Sequence, residues 1–172
     1  MKNSDSDELF PVVDEEGNEI SRAFRSVCHD GRSMLLHPVV HMHLFNSKGE
    51  LFLQKRAMTK DLLPGYWDTS VGGHVSPGES PEEALIREAH EELGISDFRY
   101  HFAGKYIWES KRERELVYSF TGTSKTTPQI NPDEIDEGRF WSLREISENL
   151  NRNIFTPNFE HEYYLVISKL KK

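Results

Sequence analysis

The stretch from Gly73 to Ile95 reads GHVSPGESPEEALIREAHEELGI, and its punctuation is that of a loop entering and leaving one helix. Ser80 is placed to cap the first turn, and Pro81 suits the first helical position because its missing N–H has no intrahelical partner there. Glu83 completes a capping box with Ser80, and Gly94 supplies the left-handed residue that ends a helix. The spacing predicts a helix from Pro81 to Leu93. Leu85, Ala89 and Leu93 form its apolar stripe. Glu88, Glu91 and Glu92 stand at i, i+3 and i+4, so a step of about a hundred degrees per residue gathers three carboxylates on one face. Like charges at this spacing destabilise a helix by roughly 0.2–0.5 kcal/mol per pair unless a cation sits among them. Hard divalent cations take oxygen ligands of this kind. On the helix alone, a solvated acidic face partly balanced by Arg87 explains the pattern equally well.

Outward from this helix the chain reads as one mixed α+β unit over residues 1–172. Residues 1–8 are polar and expected to be flexible. Residues 9–36 form an expected N-terminal hairpin extension, with strands at Phe10–Asp14 and from Ile20 onward around the turn signal Glu16-Gly17-Asn18. Val39–Phe45 alternates with the period of a strand, Asn46-Ser47-Lys48-Gly49 is a turn, and Leu51–Arg56 is the expected partner in a hairpin. Strands are predicted near Tyr100–Trp108, Leu116–Phe120 and Arg139–Trp141. Ser142 with Glu145 opens a further capped helix. Thr156-Pro157 opens a terminal one with Tyr163, Val166, Ile167 and Leu170 on one face.

With Gly73, Glu79 and the run Arg87-Glu88-Ala89-His90-Glu91-Glu92-Leu93-Gly94-Ile95 at these spacings, the segment resembles the complete Nudix box. A chance match of this length is on the order of one in a million. The resemblance implies a Nudix-like α/β/α sandwich with a mixed sheet and a loop-helix-loop motif. It also implies hydrolysis of a diphosphate linkage in a nucleoside diphosphate derivative or other small organic diphosphate, with Mg²⁺ or Mn²⁺. Carried over by position, Glu88, Glu91 and Glu92 become metal ligands together with the Gly73 carbonyl, and Glu79 and Arg87 become supporting residues. Arg87 precedes Glu91 by one helical turn and is expected to orient a carboxylate. Glu91 and Glu92 are both candidate bases, and the catalytic base varies within the family.

A second resemblance, over roughly Val12 to Pro157, is to isopentenyl-diphosphate isomerase of the same superfamily. It rests on Leu51-Phe52-Leu53-Gln54-Lys55-Arg56, Lys60 and Pro64-Gly65-Tyr66-Trp67. It implies that Arg56 and Lys60 hold a substrate diphosphate. It also implies a second metal site from His29, His37, His74, Glu113 and Glu115, a mixed donor set suited to Zn²⁺, Mn²⁺ or Fe²⁺. A turn at His37-Pro38 and solvated glutamates are the plainer alternative. The sequence departs from the isomerase at two places: its cysteine corresponds to Gly72, and its tryptophan to about Asn158. Both departures favour hydrolysis, with the isomerase and a catalytically silent, ligand-sensing Nudix-like domain as alternatives. Trp67 is the expected aromatic contact to substrate. With Tyr106 and Trp108 it suits either stacking on a ligand or packing in the core.

Bulk properties agree with a small anionic substrate held through a cation. The chain has 29 acidic and 21 basic residues in 172, a formal charge of −8, which repels nucleic-acid backbone and anionic lipid. A bound divalent cation reverses that repulsion locally. Cys28 is the single cysteine, so no intramolecular disulfide forms, and it is expected to be a small buried residue. No apolar run reaches spanning length. The expectation is a cytoplasmic protein that binds neither bulk nucleic acid nor membrane.

Overall fold

In the computed structural model, which describes residues 8–171, the organising strand is β3 (Leu36–Phe45). It runs parallel to β8 (Arg114–Ser124) over its whole length, from Leu36 opposite Arg114 to Phe45 opposite Thr123. On its other edge Val39–Met42 pair antiparallel with β6 (Val71–His74). The sheet continues from β8 to β7 (Phe98–Glu109), and through β4 (Leu51–Arg56) to β5 (Trp67–Asp68) and β9 (Ile135–Trp141). One parallel pair among antiparallel ones makes this the expected mixed sheet. A separate ribbon of β1 (Leu9–Val13) and β2 (Glu19–Phe24) precedes it, followed by the short α1 (Arg25–Cys28). The expected flexible stretch 1–8 lies outside the described residues except for Glu8, whose carbonyl accepts from the Arg25 N–H at 2.8 Å.

Two sequence expectations are corrected here. The turn at Asn46–Gly49 forms, with the Asn46 side chain accepting from the Lys48 and Glu50 N–H groups at 3.0 and 2.9 Å. β3 and β4 then share only the Phe45–Leu51 pair. They part because β6 occupies the free edge of β3, while β9 and β5 take both edges of β4. The terminal helix α4 (Pro157–Leu165) ends before the predicted apolar face does, and the chain continues as a 3₁₀ turn over Ile167–Lys171. Tyr163 and Ile167 are buried, but Leu170 is 52% exposed.

Helices cover both faces of the sheet. α2 (Pro81–Leu93) buries Ala84, Leu85, Ala89 and Leu93 against Val40, Met42, Phe52, Val71 and Phe120. On the opposite face, α3 (Leu143–Glu148) and α4 bury Ile146, Phe159 and Tyr163 with Leu51, Leu53, Trp67, Trp141 and Phe155. The alternation of Leu51, Phe52 and Leu53 between the two clusters follows from the two-residue period of β4. Each fully buried large side chain contributes about 1.5–3 kcal/mol of transfer free energy. This layering pins α2 across β6 and so fixes where its carboxylates point.

Candidate active site

The capping predicted for α2 is present. Ser80 Oγ accepts from the Glu83 N–H at 3.1 Å, the Glu83 carboxylate accepts from the Ser80 N–H, and Gly94 closes the helix at φ 63°. Burial of the Leu85–Ala89–Leu93 stripe turns Glu88 and Glu92 inward toward β6 and leaves Glu91 at the rim, its side chain 52% exposed. Glu92 is almost fully buried. One of its oxygens accepts from Gln54 Nε2 at 2.9 Å and the other from the Gly72 N–H at 3.1 Å. Glu88 lies so close to β6 that a Cβ on Gly73 would overlap its carboxyl group, standing 2.5 Å from Oε1. Glycine at 73 is therefore a steric requirement of the Glu88 position.

Arg87 ties the loop to the helix. Its Nε and Nη2 donate to the two Glu79 oxygens, each at 2.9 Å, Nη2 also donates to the His74 carbonyl at 2.8 Å, and Nη1 donates to Glu88 at 2.7 Å. Glu79 in turn accepts from the Ser76 N–H at 3.0 Å. This fork geometry holds the Glu79 carboxyl below its ordinary range, through the Arg87 hydrogen bonds first. Burial pushes Glu88 up to about 7 against the pull of Arg87, and pushes Glu92 well above the usual carboxylate range, with the Glu88 charge adding to it. Buried oxygen donors that resist ionisation in the absence of a cation are the donor set a Mg²⁺ or Mn²⁺ ion would stabilise.

A second cluster forms where β1, β3, β6 and β8 meet. Ligand atoms of His29, His37, His74 and Glu113 all lie within 4.8 Å of one another. His37 donates Nδ1–H to the Leu35 carbonyl at 2.9 Å, which leaves the Nε2 lone pair facing the cluster. His74 stacks on Phe10 at 4.3 Å, and burial keeps its imidazole neutral. His29 Nε2 lies 2.6 Å from Glu113 Oε2, yet both atoms and His37 Nε2 are buried without an aligned hydrogen bond. Donors converging on a common point rather than on each other fit a metal-binding arrangement. Pro38 lies inside β3 and does not form a turn. Glu115 stays outside the group of four. Burial first, and then the neighbouring Glu113, push its carboxyl well above the usual carboxylate range.

The remaining sequence candidates divide. Arg56 is partly exposed, donates Nε–H to the Leu62 carbonyl at 3.1 Å and approaches Asp68 at 3.5 Å. Lys60 is exposed in the turn that follows β4. Trp67, expected at the substrate, is instead buried: at 9% exposure it packs edge-to-face on Trp141 at 5.1 Å, inside the α3/α4 core. On β5 it stands opposite Lys55 of β4 and shares a cluster with Leu51 and Leu53, which makes it a core residue. Cys28 is buried, and burial raises its thiol. The sequence reading did not single out Gln54, or Glu134, whose charge helps to raise both Glu88 and Glu92. It also missed His41, His43 and Glu162. The recurrence of His37, His41 and His43 at even spacings in one strand was the available signal, since such residues share a face.

No helix among the described residues is long and apolar enough to cross a membrane. The family model described as NUDIX domain matches residues 35–162. An isopentenyl-diphosphate Delta-isomerase from Streptomyces griseus is 34% identical over 157 residues, covering 88% of this chain and 79% of that one. An uncharacterised Nudix hydrolase from Pseudomonas aeruginosa is 38% identical over 133 residues, covering 77% and 78%. Among solved structures, a Deinococcus radiodurans protein superposes with a TM-score of 0.76 at 25% identity over 90% of this chain and 96% of that one. A MutT protein from Methanosarcina mazei gives 0.68 at 26% identity over 80% and 96%. With the Glu88–Glu92 helix, the glycine that admits it and the Arg87 clamp all in place, the chain belongs to the Nudix family.

Proposed function

We propose that the protein is a metal-dependent hydrolase that cleaves the diphosphate linkage of a small organic diphosphate, with a nucleoside diphosphate derivative as one such substrate. The observation that carries this reading is the packing of Glu88 and Glu92 against Gly72 and Gly73, with Glu91 beside them at the rim. Glu88, Glu91, Glu92 and the Gly73 carbonyl would hold Mg²⁺ or Mn²⁺. When bound, such an ion polarises phosphoryl oxygens and acidifies water. Glu92, fixed through both oxygens, acts as an anchored ligand, whereas exposed Glu91 is free to accept a proton from the attacking water. Arg87 and Glu79 position the loop and the helix relative to each other. Arg56 and Lys60 bind the substrate diphosphate as fork donor and flexible ammonium.

Isomerisation of a diphosphate-bearing alkene is the second reading. It is favoured by the His29–His37–His74–Glu113 cluster, where Zn²⁺, Mn²⁺ or Fe²⁺ would bind, and by the named isomerase relatives. Gly72 stands where the isomerase has a cysteine, and this weighs against it. Metal-stripped protein incubated with a panel of diphosphates, with and without Mg²⁺ or Mn²⁺, separates the two. Metal-dependent phosphate or phosphomonoester release supports hydrolysis. Conversion of isopentenyl diphosphate without such release overturns it. Elemental analysis of untagged protein, repeated on His37→Ala/His74→Ala, tests the second centre: no transition metal in the parent, or unchanged content in the variant, rejects it.

A further inference from the structure

A set of buried ionisable groups lies directly beneath Gly72 and takes no part in the carboxylate helix or the His29 cluster. His41 and His43 share one face of β3, and Glu162 reaches them from α4. His41 Nδ1–H donates to Glu162 Oε2 at 3.0 Å, and His43 Nε2 lies 3.0 Å from the same oxygen. Glu162 and His43 have no exposed side-chain surface, while His41 keeps 12%. Buried ion pairs of this kind are often no more stabilising than apolar residues of the same volume, so packing alone gives no reason for them.

Orientation supplies the reason. With Nδ1 committed to Glu162, the opposite edge of the His41 ring faces Gly72: a Cβ placed there would stand 3.5 Å from Cδ2 and 3.8 Å from Nε2. Gly72 has no side chain, so that residue leaves the edge free of contact. The same glycine gives its N–H to Glu92. Asp68, which approaches Arg56 at 3.5 Å, also acts on His41 through its charge. Gly72 thus has the His41 ring against its α4 face and gives its N–H to a carboxylate of α2, so the Nε2 edge borders the strand that carries the Gly73 carbonyl.

We propose that His41, held by Glu162, donates the proton to the departing oxygen when the diphosphate linkage is cleaved. The inference rests on the hydrolase reading. Water bonds to phosphorus and gives up a proton to a carboxylate. The bridging oxygen keeps the electron pair of the breaking P–O bond and takes the Nε2 proton, and both groups return to their starting states by exchange with solvent. Glu162 is a positioning residue that also favours the charged ring. The groups facing this pair are His43 on the same strand, Asp68 on β5, Tyr106 on β7 and Glu115 on β8. Burial works against the imidazolium, but Glu162 and then Asp68 outweigh it and raise His41 above its ordinary range.

The test uses the full chain labelled with ¹⁵N-histidine, and Mg²⁺ with methylenediphosphonate as a probe that is not turned over. The His41 Nε2 resonance is expected to move on adding the probe, with Nδ1 remaining protonated. Its titration midpoint should rise with the probe and fall in Glu162→Gln. In turnover of the best diphosphate of the panel, His41→Ala lowers kcat by about 100-fold or more with little change in KM, and added imidazole restores activity in proportion to its protonated fraction. The high-pH limb, where the acid loses its proton, moves to lower pH in Glu162→Gln. Gly72→Ala covers the ring edge at ordinary contact distance, so it folds and reproduces the loss even if His41→Ala does not fold. An unmoved His41 while the Gly72 and Gly73 amides respond to the probe overturns the inference and leaves hydrolysis standing, as does a pH limb indifferent to Glu162→Gln. No response at any of these residues, together with undiminished turnover in Glu92→Gln or no turnover of any diphosphate, removes the parent reading and this one with it.

Discussion

Glu88→Gln should stabilise the metal-free protein at high pH while weakening its response to Mg²⁺. Burial holds the Glu88 proton to about 7 instead of the ordinary 4.5, even though Arg87 donates to it at 2.7 Å. Between those two values the folded state binds more protons than the unfolded state, so stability falls as pH rises through the window and levels off above about 7. At 15% side-chain exposure solvent screens little of this, and the ionised group costs the fold up to about 3 kcal/mol at pH 8. Glutamine keeps the carbonyl oxygen for Arg87 and cannot ionise. For a chain of this size that difference raises Tm by about 6–12 °C at pH 8 and by almost nothing at pH 4.5. Mg²⁺ at a hundredfold excess over its Kd then stabilises the parent by about 2.7 kcal/mol and the variant by much less. Thermal melts of both proteins across pH, in chelator and in Mg²⁺, provide the measurement. A variant no more stable than the parent at pH 8 in chelator, or a difference independent of pH, would refute the assignment of buried charge to Glu88.

Glu91→Gln and Glu92→Gln are each expected to reduce metal-dependent turnover by roughly two orders of magnitude or more with the fold retained, because a base or a ligand is lost; near-parental rates at saturating Mg²⁺ in both would move the chemistry off α2. Arg56→Ala and Lys60→Ala should chiefly raise KM for a diphosphate, since these groups meet a charge present before and during reaction, and steady-state kinetics showing KM unaltered in both would remove them from the site. Trp67→Ala should destabilise by about 3–5 kcal/mol through the cavity it leaves against Trp141, read by urea unfolding; a KM effect without loss of stability would return Trp67 to the substrate.

The Glu91 and Glu92 carboxylates illustrate why adjacent, chemically identical residues divide their roles. They are neighbours in the chain, but one helical step separates a side chain bonded through both oxygens beneath Gly72 from one that meets solvent. The first is suited to hold an ion in fixed geometry and the second to exchange protons. A buried carboxylate hydrogen-bonded at both oxygens has little freedom to pick up a proton from water and release it again.

The amino-acid sequence by itself determined α2, its caps and the sharing of one face by Glu88, Glu91 and Glu92, because helix periodicity and capping are local properties of consecutive residues. Local spacing also sufficed for the turn at Asn46 and for the residues that flank the Nudix box. It did not determine that β3 would leave β4 after one residue pair to run beside β8, since strand partnership depends on which edges the rest of the chain occupies. Nor did it place Trp67: an aromatic residue beside a loop reads the same whether it faces a ligand or a core, and only the packing of α3 and α4 on β5 decided for the core. The same holds for Glu162, which lies far along the chain from His41 and becomes its partner only because α4 packs against the face of β3 where that imidazole points. Helical faces are set over a few residues, whereas burial and pairing between distant residues are set by how the layers close.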